Sequence, residues 1–210
     1  MDVIGRERSP RWFDGSVFFS PDGKRVIVPH EAPPDPRGGR RGLQVWIGRV
    51  SDGAHERTVL VPPERSGTGS LPYLLGVGLD GRLLVGAGGS AVVNGELRIG
   101  GEVQVWDPDT GEMVHRLGPH DGRIAWANVT PDRSRLFALV DGETSGRLHV
   151  WDLRAPGTGS GRELLILPVK LGEPEPRADS RRREVRFDGW RVVVPGPDGT
   201  QVLDGSPLRP

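Results

Sequence analysis

The chain has 210 residues, in which 28 Lys+Arg balance 28 Asp+Glu, so no global field draws it onto nucleic acid or an anionic membrane. It contains no cysteine, which removes disulfides, thiolate metal sites and cysteine nucleophiles from consideration. Glycine (32) and proline (20) approach a disorder-prone level, but six tryptophans and repeated Val/Leu/Ile runs carry enough apolar surface to offset the ordering entropy.

The opening MDVIGRERSPRW has no apolar signal core, and no run approaches the ~18 apolar residues of a membrane helix. The expectation is a cytoplasmic protein. Lysine occurs only at Lys24 and Lys170, an arginine bias that points to a high-GC bacterial genome. Asn128-Val129-Thr130 matches a glycosylation acceptor but reads as ordinary strand sequence.

Taken in chain order, the sequence repeats itself. VFFSPDGKRVIVP (Val17 to Pro29) is an apolar run, a tight turn and a second apolar run, the pattern of a β-hairpin. The same pattern returns as LLGVGLDGRLLVGAG (Leu74 to Gly88), AWANVTPDRSRLFALV (Ala125 to Val140) and EVRFDGWRVVVPG (Glu184 to Gly196). A third strand follows each hairpin: LQVW from Leu43, VQVWD from Val103, LHVWD from Leu148 and TQVLD from Thr200. The equivalent positions Trp46, Trp106, Trp151 and Leu203 are separated by 60, 45 and 52 residues, so one unit recurs with loops of varying length. A fourth strand is predicted in the first three units, at Arg57 to Pro62, Glu112 to Leu117 and Glu163 to Pro168.

Each unit is thus a sheet of short antiparallel strands, and no helical period is sustained anywhere. Such a sheet buries both faces only by stacking on neighbours. The predicted fold is all-β, a propeller-like array of about four four-stranded antiparallel blades, incomplete or open, in a single domain over 1–210. Its units span approximately 16–62, 71–117, 122–168 and 183–204. Residues 1–10, through VIGRER, offer a strand that would complete the last unit and close the ring. An open arc, or closure shared between molecules, stands beside that reading.

At GPHDGRIAWANVTPD running on to LHVWD, at SPDG and at VWDPDTGE, the chain resembles the WD40 repeat family. The resemblance covers roughly Ser16 to Asp204 and the ending looks like the last part of a longer bacterial array. It implies structural repeat positions at Asp22, Gly23, Trp46, Asp80, Gly81, Trp106, Asp107, His120, Asp132, Asp141, Trp151 and Asp152. The family's His/Asp/Ser/Trp hydrogen-bond set carries over only as His120, Asp141 and Trp151, with no matching serine, and Leu203 replaces the last tryptophan. These blades are degenerate.

Catalytic readings fare poorly. Gly76 to Gly81 fits G-x-G-x-x-G, but a strand follows where a dinucleotide site needs a helix. Asp107, Asp109 and Glu112 lack the spacing of a calcium loop. Of the five histidines only His115 and His120 are close in sequence, and His120 reads as structural, so no metal is predicted. No Gly-x-Ser-x-Gly elbow occurs. The run Arg181 to Arg183, with Arg177 and Arg186, is interleaved with Glu173, Glu175, Asp179 and Glu184 and reads as a self-neutralising linker rather than a nucleic-acid patch.

The expected function is a non-enzymatic scaffold that holds a protein or peptide on a propeller face, with no cofactor, nucleic acid or membrane partner. Association with another copy or with further blades is a second expectation. The alternatives are a quinoprotein-like enzyme or cofactor binder, suggested by the single DPDTGE, and a remnant of a longer array. Long segments at Pro29 to Gly42, Pro62 to Leu71, Gly88 to Gly101 and Pro168 to Arg183 lie on the face of the second-to-third and blade-to-blade connections, where binding loops grow on rigid scaffolds. On that face Arg37, Arg40, Arg41, Arg181, Arg182 and Arg183 are the candidate contacts to an acidic partner.

Overall fold

The computed structural model describes residues 17–33, 41–62, 72–93, 96–141, 145–154, 161–171 and 185–204. All regular structure among them is β. The first sheet comprises β1 (Phe18–Phe19), β2 (Arg25–Glu31), β3 (Leu43–Arg49) and β4 (His55–Val61). In the second are β5 (Tyr73–Val77), β6 (Leu83–Val93), β7 (Glu96–Trp106) and β8 (Met113–Asp121); the third holds β9 (Arg123–Val129), β10 (Arg135–Asp141), β11 (Gly146–Asp152) and β12 (Arg162–Val169). The fourth has three strands, β13 (Arg186–Phe187), β14 (Arg191–Gly196) and β15 (Gly199–Asp204). Every pairing is antiparallel between sequence neighbours. The candidate closing strand, residues 1–10, lies outside the described residues.

Period-two alternation distributes the apolar side chains to both faces of the inner sheets. On β10, Leu136, Ala138 and Val140 join Leu84, Val103, Val105 and Leu117 of the second sheet in one core cluster. Their neighbours Phe137 and Leu139 turn the other way and meet Val192 and Val194 of the fourth sheet. Leu83, Val85 and Trp106 likewise face back toward Ile27, Val45 and Ile47 of the first sheet. Three cores therefore join four sheets in series. Among the described residues no core cluster combines the first sheet with the fourth, so the array is open. Its end sheets accordingly carry exposed apolar residues, Phe19 at 58% and Val202 at 59%.

Polar contacts accompany each junction. The Arg25 guanidinium meets Asp109 at 2.7 Å between the first two sheets. The Tyr73 hydroxyl donates to the Ile124 carbonyl at 2.7 Å between the second and third, and burial raises its pKa to about 12. Between the third and fourth, Gln201 donates to the Lys170 carbonyl at 2.7 Å and accepts from its N–H at 3.2 Å.

The first turn of each unit is built alike. Asp22, Asp80, Asp132 and Asp188 each accept the N–H two residues on, at 3.1, 3.1, 3.1 and 3.2 Å, the aspartate turn that mimics a backbone turn. The residue after each aspartate is left-handed: Gly23, Gly81, Arg133 (φ 60) and Gly189. Three units use glycine there, and the third forces an arginine into it.

One expectation is overturned. Gly88 to Gly101, read as a loop, is the arm of a long hairpin in which β6 and β7 pair in register out to Val93 opposite Glu96. Glycine-rich sequence looks like loop, yet cross-strand backbone hydrogen bonds hold it extended without needing large side chains. β8 likewise continues beyond the expected Leu117 to Asp121, pairing His120 and Asp121 with Gly101 and Gly100 of that arm.

Gly101 makes this crossing possible, since a Cβ there would sit 2.6 Å from the Gly122 carbonyl oxygen. Gly101→Ala is expected to cost about 2–3 kcal/mol by forcing two backbones apart, read as a lower midpoint in urea unfolding. Conversely, Arg133→Gly relieves left-handed strain and should raise stability by about 0.5–1 kcal/mol in the same measurement. The Arg133 side chain is 61% exposed and reaches Asp80 through a 3.9 Å ion pair and a 3.4 Å hydrogen bond to its carbonyl, both at the surface, so little is lost with it.

Candidate functional site

Of the six candidate arginines, only Arg41 falls within the described residues; Arg37, Arg40, Arg181, Arg182 and Arg183 lie outside them. Arg41 sits at the base of the β2–β3 connection and pairs with Glu31 at 3.0 Å. That pair occupies the same end of the array as the tip of the β6–β7 hairpin, because both connect a second strand to a third.

The suspected cofactor loops are turns. Gly76 to Gly81 crosses from β5 into β6, with Gly81 at φ 85. In DPDTGE, one Asp107 oxygen accepts the N–H groups of Asp109 and Thr110 at 2.8 and 3.0 Å. Burial raises the Asp107 pKa, and its backbone hydrogen bonds outweigh that to hold it below the usual range. Asp152 accepts the Arg154 N–H at 2.9 Å in the corresponding turn.

Trp106, Trp151 and Leu203 occupy matching registers on β7, β11 and β15, opposite Leu83, Leu136 and Val192. Trp46, expected in the same column, is displaced by two residues: it lies opposite Val28, and Gly48, opposite Val26, holds the equivalent place. Two residues before that position stand Trp46, Gln104, His149 and Gln201. In the second unit this position anchors a buried ladder: Trp106 Nε1 donates to Gln104 at 3.1 Å, and Gln104 donates to Glu102 at 2.6 Å. In the third unit the ladder is replaced by histidine. Asp141 ends β10, in register with Arg123 and Gly146.

His149 is 4% exposed. Its ring stacks on Trp151 at 5.5 Å, and Nδ1 lies 2.6 Å from Glu163 of β12. His120 arrives from β8, the last strand of the preceding sheet, and its ring centroid lies 4.5 Å from His149 and 5.1 Å from Trp151. Sequence reasoning missed His149 and Glu163. The signal that would have found His149 is the histidine at the position where the second and fourth units hold glutamine.

Neither Nε2 of His120 nor Nε2 of His149 has a hydrogen-bond partner, although both are buried. A carboxylate can only accept, so His149 Nδ1 carries the proton shared with Glu163, and the neutral ring presents its lone pair at Nε2. Two imidazoles and a carboxylate from three strands thus converge, with ligand-capable atoms within 4.8 Å of one another.

Burial, reinforced by the adjacent His149, disfavours the charged ring of His120 and pushes its pKa down from 6.5 to about 4, against the opposing pull of Glu163. The folded state therefore refuses a proton that the unfolded chain accepts. Stability is full above pH 6.5 and falls as pH drops through the window down to 4. Partial solvent access reduces the loss to on the order of 1–2 kcal/mol. Thermal melts at pH 7 and pH 5 should show a smaller drop for His120→Gln than for the wild type.

No protein-family model matches the chain, and no curated protein matches it. Among solved structures it is similar to a chain of one described as "Crystal Structure of Mitotic Checkpoint Complex", with a TM-score of 0.52 and 18% identity over 92% of this chain. The chain spans 49% of that neighbour's length. Such a likeness bears on the fold alone, and with the sheet topology it establishes a WD40-like β-propeller architecture.

Proposed function

We propose that the chain is a non-enzymatic scaffold that holds a protein or peptide partner on the face formed by its second-to-third-strand and blade-to-blade connections. The observation that carries this reading is the asymmetry of the two faces. First-to-second turns are tight and spend their aspartates on their own backbone. The opposite face bears the 11-residue strands of the β6–β7 hairpin, against seven in β2 and β3.

A long hairpin on a stack of sheets offers backbone edges at little ordering cost, which favours binding. Arg41 and its neighbours in the connecting loops add forked donors suited to carboxylates. The similar solved chain comes from a multi-protein complex, which agrees with a binding role in general.

A second association reading rests on the open array. The apolar residues Phe19 and Val202 on the end sheets suit contact with further blades or a second copy, since an uncovered sheet face is a liability.

Two variants test the main reading once a partner has been isolated by co-purification and identified by mass spectrometry. One changes Arg37, Arg40, Arg41, Arg181, Arg182 and Arg183 to serine. The other removes residues 90–99 and joins Gly89 to Gly100 through an Asn-Gly turn. With purified partner, at least one should weaken binding about tenfold or more, a loss of about 1.4 kcal/mol, while the melting temperature holds. Full affinity in both would place the site elsewhere.

A further inference from the structure

We propose that His120, His149 and Glu163 form a binding site for a first-row divalent transition cation, zinc foremost, that clamps the second sheet to the third. The three residues come from β8, β11 and β12, and their ligand-capable atoms lie within 4.8 Å of one another. A tetrahedral zinc with bonds of about 2.0–2.2 Å to nitrogen and oxygen sets its ligands about 3.3 Å apart. Modest side-chain rotation closes that gap. Glu163 supplies the freedom, because its side chain is 40% exposed, and the same exposure leaves the fourth coordination position open to water.

The state of the histidines points to a cation rather than to a finished hydrogen-bond network. Both Nε2 atoms are buried without a partner, and a buried acceptor left alone is costly. Glu163 lies 2.6 Å from Nδ1 of His149 and leaves that contact when its exposed side chain turns to the cation, because a carboxylate seated on Nδ1 is on the far side of the ring from a metal held at Nε2.

The local sequence carries independent support. Gln104 and Gln201 occupy the register position at which the third unit has His149, and glutamine satisfies itself there by bonding Glu102 and Trp106 or the Lys170 backbone. Histidine gives up those bonds, and directly across the sheet junction stands the second histidine. Two imidazoles and one carboxylate suit zinc, cobalt, nickel or copper and offer little to magnesium, which prefers oxygen ligands.

Titration of the chelator-treated full chain with Zn2+ in a calorimeter should give one equivalent bound, with the melting temperature rising on addition. Co2+ should develop the visible absorption of a four-coordinate site, and Mg2+ should bind no better to the wild type than to the variants. His149→Gln gives the third unit the residue of the second and fourth, so it keeps the fold, checked by circular dichroism, yet should lower Zn2+ affinity at least tenfold. His120→Gln should do the same, and Glu163→Gln should weaken binding by about 10–100-fold. No Zn2+ binding by the wild type, or wild-type affinity in His149→Gln, overturns the proposal.

Discussion

Everything in this structure depends on two-sided burial of small sheets. A four-stranded antiparallel sheet of seven-residue strands has an apolar face on each side, and it cannot cover either by folding on itself. Stacking solves this for the inner sheets: Val105 packs one way while Leu83 and Trp106 pack the other. Each sheet is consequently stable only in company, and the three cores act in series. The open ends follow from the same constraint, with apolar residues such as Val202 exposed where no further sheet stands among the described residues.

Cores of valine, leucine and alanine are nearly interchangeable between units, so they fix little about orientation. Polar contacts supply it. Arg25–Asp109, Tyr73–Ile124 and Gln201–Lys170 each join adjacent sheets through directional contacts, and glycine at position 101 allows the β7 arm to meet the start of β9 at backbone distance. The aspartate turns work at shorter range, each closing its own hairpin, although the Asp80 turn is also touched by Arg133 of the neighbouring sheet. This separation lets the connections on the opposite face vary in length while the frame keeps its geometry.

Degeneracy of the repeat is where the chemistry of this chain becomes individual. At the position two before the tryptophan, glutamine closes a polar ladder in one unit and straps a sheet junction in another. Histidine at 149 does neither, and it faces a histidine from the preceding sheet, both rings lying against that of Trp151. A departure from the repeat thus creates unmet bonding capacity inside the frame. The remaining departures, such as Arg133 in a glycine position, have local consequences for strain.

By itself the sequence determined the all-β class, the four units, the turn positions and the matched tryptophans of the second and third units, because these rest on period-two patterning, aspartate and glycine turn chemistry, and repetition; Trp46 it set in the same column, two residues from where the strand pairing puts it. All of these act over a few residues or recur along the chain. It misjudged Gly88 to Gly101, where backbone pairing between two glycine-rich arms overrides a composition that reads as loop. It also missed Glu163 and His149 as partners of His120, although the odd histidine in the glutamine column was visible. Only the tertiary structure could decide that meeting: Glu163, 14 positions on, is brought to His149 by the pairing of β12 with β11, but His120, 29 positions back, arrives through the stacking of one sheet on the next, and proximity across a sheet junction leaves no periodic trace in the chain.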